Sequence, residues 1–293
     1  MTTAKFQFKP IKFSWVVLHP QPVGVVYFIG GAFFGTFPTL FYRYFLRRLF
    51  EQGYTIVALP FRFTFRHWSV ATGLVRYQSD LRAAMIEEAA HLGYSTEIYQ
   101  ENPQSLNPNY FWVAHSVGCK YVALLELLSD LEQETISTVL DSCVGADQYQ
   151  ELRNLLDEVD IQDISLRNQP SLLMAPVIAG IKSAIPVEAI ATFFQKLGLD
   201  VQPNVAQTYC LIQRSRLFNL TGLIAFGNDK IATEAGTVRW LQENIGDRLA
   251  SFSLIPRRKH LSPLGFRQGD ATVADTAIES LQKLSDQLVE LTQ

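Results

Sequence analysis

Cysteine is scarce in this chain, long apolar runs are missing, and neither sign of charge dominates. Among 293 residues there are three cysteines, Cys119, Cys143 and Cys210, widely spaced and without a C-x-x-C pair. That pattern offers no zinc ribbon and no dense disulfide framework, and it points to a reducing compartment. The histidines (His19, His67, His91, His115 and His260) show neither H-x-x-x-H nor H-x-H spacing, so no metal site is expected. Lys and Arg number 25 against 28 Asp and Glu, a net charge of −3. Such a balance lacks the basic footprint of a nucleic-acid binder. The nearest approach to a membrane span, residues 172–199, is interrupted by Pro176, Lys182, Pro186, Glu188 and Lys196. It reads as helices over a cavity, not as a bilayer span. The first ten residues lack the apolar core of a secretory signal. The expectation is a soluble, cytoplasmic protein with no cofactor, no metal and at most a peripheral membrane contact. Oligomeric state leaves no trace in the sequence.

What is present is a large apolar fraction, 48% of residues, arranged in alternating strand-like and helix-like segments. Two β-rich runs, 6–18 and 23–29, are joined by His19-Pro-Gln-Pro22, which reads as a hairpin connection. A helix is expected over 39–52 with Gly53 as its stop, and a strand over 55–60. A polar helix over 78–92 stops at Gly93. Further strands are expected at 110–114, 136–143, 222–226 and 252–255, with helices at 117–131 and 271–291. This order implies an α/β fold with a mostly parallel sheet wrapped by helices and an antiparallel edge. The alternation halts between Gly145 and Leu220. Residues 1–145 and 221–293 therefore read as the core, and 146–220 as a helical cap or lid. The plainer alternative is a helical elaboration that only adds core.

The sharpest local feature is Tyr110-Phe-Trp-Val-Ala-His-Ser-Val-Gly-Cys119. An apolar strand meets a single serine, Ser116, and a helical pattern follows at once. A serine on such a turn is held in strained geometry and needs small residues two positions to each side, here Ala114 and Gly118. The pattern is A-x-S-x-G where G-x-S-x-G is usual. A serine nucleophile needs a histidine base and a buried acid to orient it. Asp229 follows the strand at 222–226 and His260 follows the strand at 252–255, in the order Ser, Asp, His and on the same sheet edge. Taken singly, Asp229 could be a turn former and His260 part of a solvated basic loop. Asp141, at the end of the expected 136–143 strand, is the competing acid. His115 reads as part of the pocket floor.

An oxyanion hole needs two converging backbone N–H groups. Val117, first in the helix after the serine, is one. Ala32 or Phe33, in the glycine-bearing loop Gly30-Gly-Ala-Phe-Phe-Gly35, is the other. Gly31, Phe34, His115 and Arg62 complete the expected pocket. Phe33, Phe34, Phe37, Phe41 and Tyr42 crowd the same region and suit a hydrophobic group. Arg62 and Arg66 could hold an anionic head group or simply form a surface pair.

These segments resemble the α/β-hydrolases throughout. More narrowly, Val26 to Leu46, Pro60 to Trp68 and Ala114 to Lys120 resemble domain-of-unknown-function family 1350 of cyanobacteria and plant plastids. The resemblance implies a serine-hydrolase scaffold and a photosynthetic host, without an assigned substrate. Absence of a transit peptide favours the cyanobacterial setting. Two functions follow: hydrolysis of an ester or thioester of a lipid-like molecule, or non-catalytic binding of a hydrophobic ligand, including scaffolding of a membrane-associated complex.

Overall fold

The computed structural model describes residues 5–100, 109–130, 133–157, 166–178, 201–215, 218–233 and 236–291. Eight strands form one sheet in the order β1-β2-β4-β3-β5-β6-β7-β8. They are β1 (Lys9–Ile11), β2 (Ser14–Val17), β3 (Gly24–Ile29), β4 (Tyr54–Ala58), β5 (Tyr110–His115), β6 (Ser171–Met174), β7 (Thr221–Phe226) and β8 (Ser251–Ile255). β1 and β2 pair antiparallel at one edge, β2 is antiparallel to β4, and the remaining pairs are parallel. β3, β4 and β5 are buried along their whole length. Both faces of these strands are covered by helices, which is why they read as continuous apolar runs without alternation.

The helices among the described residues are α1 (Pro38–Phe41), α2 (Arg43–Glu51), α3 (His67–Val75), α4 (Gln78–His91), α5 (Val117–Asp130), α6 (Gln133–Val144) and α7 (Ala146–Leu156). They continue with α8 (Val205–Arg214), α9 (Thr237–Ile245) and α10 (Ala271–Leu291). α2 packs on α10, whereas α5 packs on α3 and α8. Gly53 and Gly93 take positive φ and end α2 and α4, as anticipated. α8 opens on a reciprocal cap: the Asn204 carboxamide accepts from the Gln207 N–H (2.9 Å), and the Gln207 side chain accepts from the Asn204 N–H (2.8 Å).

The structure departs from the sequence reading in five places. The run 6–18 folds back on itself as the β1–β2 pair, turning at Lys12 and Phe13. The 19–22 segment is therefore a crossing between β2 and β3, with β4 lying between them, and not a hairpin. β3 is apolar on both faces and satisfies both edges with parallel partners, β4 and β5. Residues 39–52 are not one helix, because the chain breaks at Tyr42. The expected strand 136–143 is the helix α6. Its β-branched residues suggested a strand, but Leu140 and Val144 lie one turn apart and both are buried. The strand of that part of the sheet is instead β6, inside the segment 146–220. That segment therefore contributes a core strand and is not wholly a helical insertion. Most of the apolar stretch expected to close over the site, 179–200, lies outside the described residues, as does the loop 101–108.

The cysteines also differ from expectation. Cys143 on α6 and Cys210 on α8 form a disulfide with Cα atoms 5.7 Å apart, while Cys119 is free and buried. Their separation of 67 positions gave no local signal. Among the described residues no helix is long and apolar enough to cross a membrane, and no group of His, Cys, Asp or Glu could hold a metal ion.

Candidate active site

β5 ends at His115 and α5 begins at Val117, leaving Ser116 alone in the turn between them with φ of 58°. A β-carbon in that backbone region is strained, and surrounding bonds must hold it there. The Ser116 N–H donates to the Met174 carbonyl at the end of β6 (3.0 Å). Its own carbonyl accepts from the Cys119 and Val177 N–H groups (3.1 Å each). Gly118 lies against the end of β3. A β-carbon there would come within 2.6 Å of the Ile29 carbonyl oxygen and 2.7 Å of that of Gly30. Ala114 is buried within β5 between Ile29 and Leu173, its partners on either side. Alanine is thus accommodated where glycine is usual.

The side chains of Ser116, His260 and Asp229 meet although β5, β7 and β8 bring them from distant parts of the chain. His260 Nε2 lies 2.8 Å from Ser116 Oγ, and His260 Nδ1 lies 2.8 Å from Asp229 Oδ2. Asp229 Oδ1 accepts from the Ile231 and Ala232 N–H groups at 2.8 and 2.9 Å. Burial alone would raise the Asp229 carboxyl. The His260 hydrogen bond and charge, with the Ala232 and Ile231 amides, outweigh burial and hold it below the usual carboxylate range. An ionised Asp229 accepts from Nδ1–H, so Nε2 carries the lone pair and accepts from the Ser116 hydroxyl. Asp141, the competing acid, is on α6 and exposed. It is not the orienting acid of this cluster.

Beneath the serine runs a second buried chain that sequence reasoning did not find. His115 Nε2 is 2.9 Å from the His260 carbonyl oxygen, which can only accept, so this nitrogen carries the proton. Nδ1 is then the acceptor for the Tyr42 hydroxyl at 2.8 Å, and Tyr42 Oη accepts the Gly31 N–H at 2.7 Å. Complete burial, reinforced by the charge of His260, lowers His115 to about 3 and keeps it neutral. Burial likewise pushes the Tyr42 hydroxyl far above its ordinary range. The chain thus ties the loop after β3, the residue before Ser116 and the backbone of His260 to one another. His115, expected at the pocket floor, is buried with both ring nitrogens engaged by Tyr42 and the His260 carbonyl. Tyr42 had been grouped only with the aromatic lining, and the helix break that delivers it leaves no sequence signal.

The loop after β3 approaches Ser116 closely: a β-carbon on Gly31 would stand 3.0 Å from Ser116 Cβ. Within it, the Gly31 N–H goes to Tyr42 and the Phe34 N–H to the Ala32 carbonyl (2.7 Å). The Gly35 N–H turns back to the Gly31 carbonyl (2.6 Å), Ala32 and Phe33 lie between these bonded amides, and Phe33 is turned to φ of 60°. Val117 opens α5, so its N–H has no acceptor within the helix. The Phe33 ring stacks on Phe63 (5.0 Å), while Phe34 meets Phe41 edge-on (5.1 Å). Arg62 is exposed on the loop after β4. Arg66 does not join it around an anion; it faces Glu151 at 3.7 Å. One turn beyond Ser116, buried Lys120 donates to the Pro203 carbonyl (2.6 Å) and fastens the approach to α8 onto α5.

Residues 7–141 match the family model described as Protein of unknown function (DUF1350), a span that contains all three segments on which the resemblance was drawn. Comparison with curated protein sequences yields no significant match. Solved structures of similar fold include the carboxylesterase Cest-2923 from Lactobacillus plantarum WCFS1, with TM-score 0.58 and 12% identity over 99% of this chain and 96% of that one. A putative carboxylesterase from the same strain gives 0.52 and 12% over 98% and 100%. Esterase B from Lactobacillus rhamnosis, in a structure with a C4-C4 SN3 tributyrin phosphonate, gives 0.51 and 18% over 93% and 78%. At such identities the likeness is one of fold, and the fold is that of the α/β-hydrolases.

Proposed function

We propose, for a chain with the α/β-hydrolase fold and a DUF1350 match over residues 7–141, that it hydrolyses an ester or thioester of a hydrophobic, lipid-like substrate. The observation that carries this reading is the continuous Ser116–His260–Asp229 chain, both links 2.8 Å long. In the proposed reaction His260 Nε2 takes the hydroxyl proton as Ser116 Oγ attacks the acyl carbon. The oxyanion is received by the Val117 N–H and by that of Ala32 or Phe33. Collapse breaks the bond to the leaving alkoxide or thiolate, which takes the proton from His260. Water, deprotonated by the same nitrogen, then attacks the acyl-enzyme and releases the acid, restoring the Ser116 hydroxyl. Asp229 stabilises the imidazolium and holds the tautomer. The aromatic residues of the loop after β3, Phe33 and Phe34 among them, favour an apolar acyl group. Arg62 is the candidate for contact with a polar head.

The test is covalent labelling by a fluorophosphonate probe together with turnover of a p-nitrophenyl ester. Ser116→Ala should lose both without a change in Tm. Asp229→Asn should reduce turnover by roughly 10³–10⁴-fold because it holds the wrong imidazole tautomer, and Asp141→Asn should leave it unchanged. An unlabelled Ser116 with no turnover of short or long esters would instead support a ligand-binding protein on a hydrolase fold.

A further inference from the structure

We propose that the loops at the carboxyl-terminal edge of the sheet form a docking face for an anionic lipid bilayer, from which substrate reaches Ser116; the delivery step rests on the hydrolase reading, the docking does not. Five large apolar side chains on these loops, Phe33, Phe37, Leu40, Ile231 and Leu261, are between 37% and 60% exposed. They come from the connections after β3, β7 and β8, and backbone bonds knit those connections and the one after β4 into one surface. The Phe61 N–H donates to the Gly35 carbonyl (3.2 Å), and the Gly265 N–H to that of Phe41 (2.7 Å). The Asn228 N–H donates to the Arg258 carbonyl (2.9 Å). Ser116 lies under this surface, beside Gly31.

Charge identifies the occupant. Arg62, Lys230, Arg257, Lys259 and Arg267 are exposed on the same loops and form no ion pair among the described residues. The described carboxylates there, Asp229 and Asp270, are engaged by His260 and Arg258. A chain with a net charge of −3 thus presents cations with no ionic partner among the described residues at the edge where its exposed apolar side chains gather. Residues 179–200 are apolar too, but they carry Lys182 and Lys196 against Glu188 and Asp200 and have no charge to match these cations. Nucleic acid would answer the cations and leave the apolar side chains in water. An anionic bilayer satisfies both, drawing the basic residues to its head groups and the apolar ones to the acyl boundary.

The experiment is co-sedimentation of the full chain with vesicles of phosphatidylcholine containing phosphatidylglycerol, and with phosphatidylcholine alone. Wild type should sediment with the anionic vesicles, less as salt rises, and hardly with the neutral ones. Lys259→Glu combined with Arg267→Glu should weaken binding by at least about tenfold, and Leu40→Ser combined with Leu261→Ser should abolish it. Both double variants should retain wild-type circular dichroism and turnover of a water-soluble ester, which separates lost docking from lost folding. Ser116→Ala should bind vesicles as wild type does. Docking is overturned if anionic vesicles are not bound, if neutral vesicles bind equally, if the variants bind as well as wild type, or if DNA binds in their place. A protein that hydrolyses soluble esters but ignores vesicles would overturn docking alone, and one that binds vesicles but leaves Ser116 unlabelled would overturn the hydrolase reading alone.

Discussion

Tyr42 is the residue on which the site most depends without touching the nucleophile. Its hydroxyl accepts from Gly31 and donates to His115, so Tyr42→Phe leaves a buried amide and a buried imidazole nitrogen unsatisfied. Each orphaned group costs about 1–3 kcal/mol. On the proposed hydrolase reading, turnover of a soluble ester should fall through kcat with KM little changed, since the loss is in the placement of the loop after β3 and of the His260 backbone. His115 adds a pH dependence. Its imidazole is neutral when folded, down to about 3, but protonates near 6.5 when unfolded. Between these values the unfolded chain binds the extra proton, so stability falls as pH falls through that window. His67, held neutral chiefly by its burial and also by the Lys120 charge, acts in the same direction. Thermal melts should show Tm dropping from pH 7 to pH 5, with a shallower slope in His115→Gln. Ser116, Asp229 and His260 were legible as residues because each stands just past a strand, where chain order alone predicts a shared edge. Tyr42 was not, since its role depends on a helix break and on a partner 73 positions away.

Among the elements, the junction of α5 with β3 is the most tightly specified. Gly118→Ala would place a methyl within 2.6 Å of the Ile29 carbonyl, a backbone atom that cannot swing aside. Overpacking of this kind costs about 1–3 kcal/mol, and calorimetry should show a Tm several degrees lower. Gly73→Ala on the exposed side of α3 meets nothing within 4 Å. It should be neutral or stabilising by up to about 1 kcal/mol. The long periodic helices α4, α5 and α10 were legible to within a residue or so, because their patterns extend over several turns. β6 was not. Four buried residues, Ser171–Met174, are too few to separate a strand buried on both faces from a piece of apolar helix. α6 was lost for the converse reason: its packing against α7 and α8 overrides the strand propensity of Ile136, Thr138 and Val139.

For the whole molecule, the Cys143–Cys210 bond joins α6 to α8 across the β6 strand segment. Chain denatured without reductant should titrate one thiol, that of Cys119, and three after reduction. Reduction should lower stability by about 2–4 kcal/mol, read as a fall in Tm. Three free thiols before reduction would show that the bond does not form. The pairing was invisible because two cysteines within loosely related stretches of sequence become neighbours only once α6 and α8 pack.

The sequence by itself determined the class of the fold, the serine turn between strand and helix, and a short list of polar residues at strand ends that could meet it. These features rest on local patterns: apolar runs, a serine between strand and helix, and polar residues at strand ends. The tertiary structure alone decided that Asp229 and not Asp141 orients His260, that Tyr42 and His115 lock the loop after β3 to the base, and that β6 completes the sheet. Each of these requires contacts between residues far apart in the chain, and burial that removes the competing hydrogen bonds to water. No pattern within a few turns of chain carries that information.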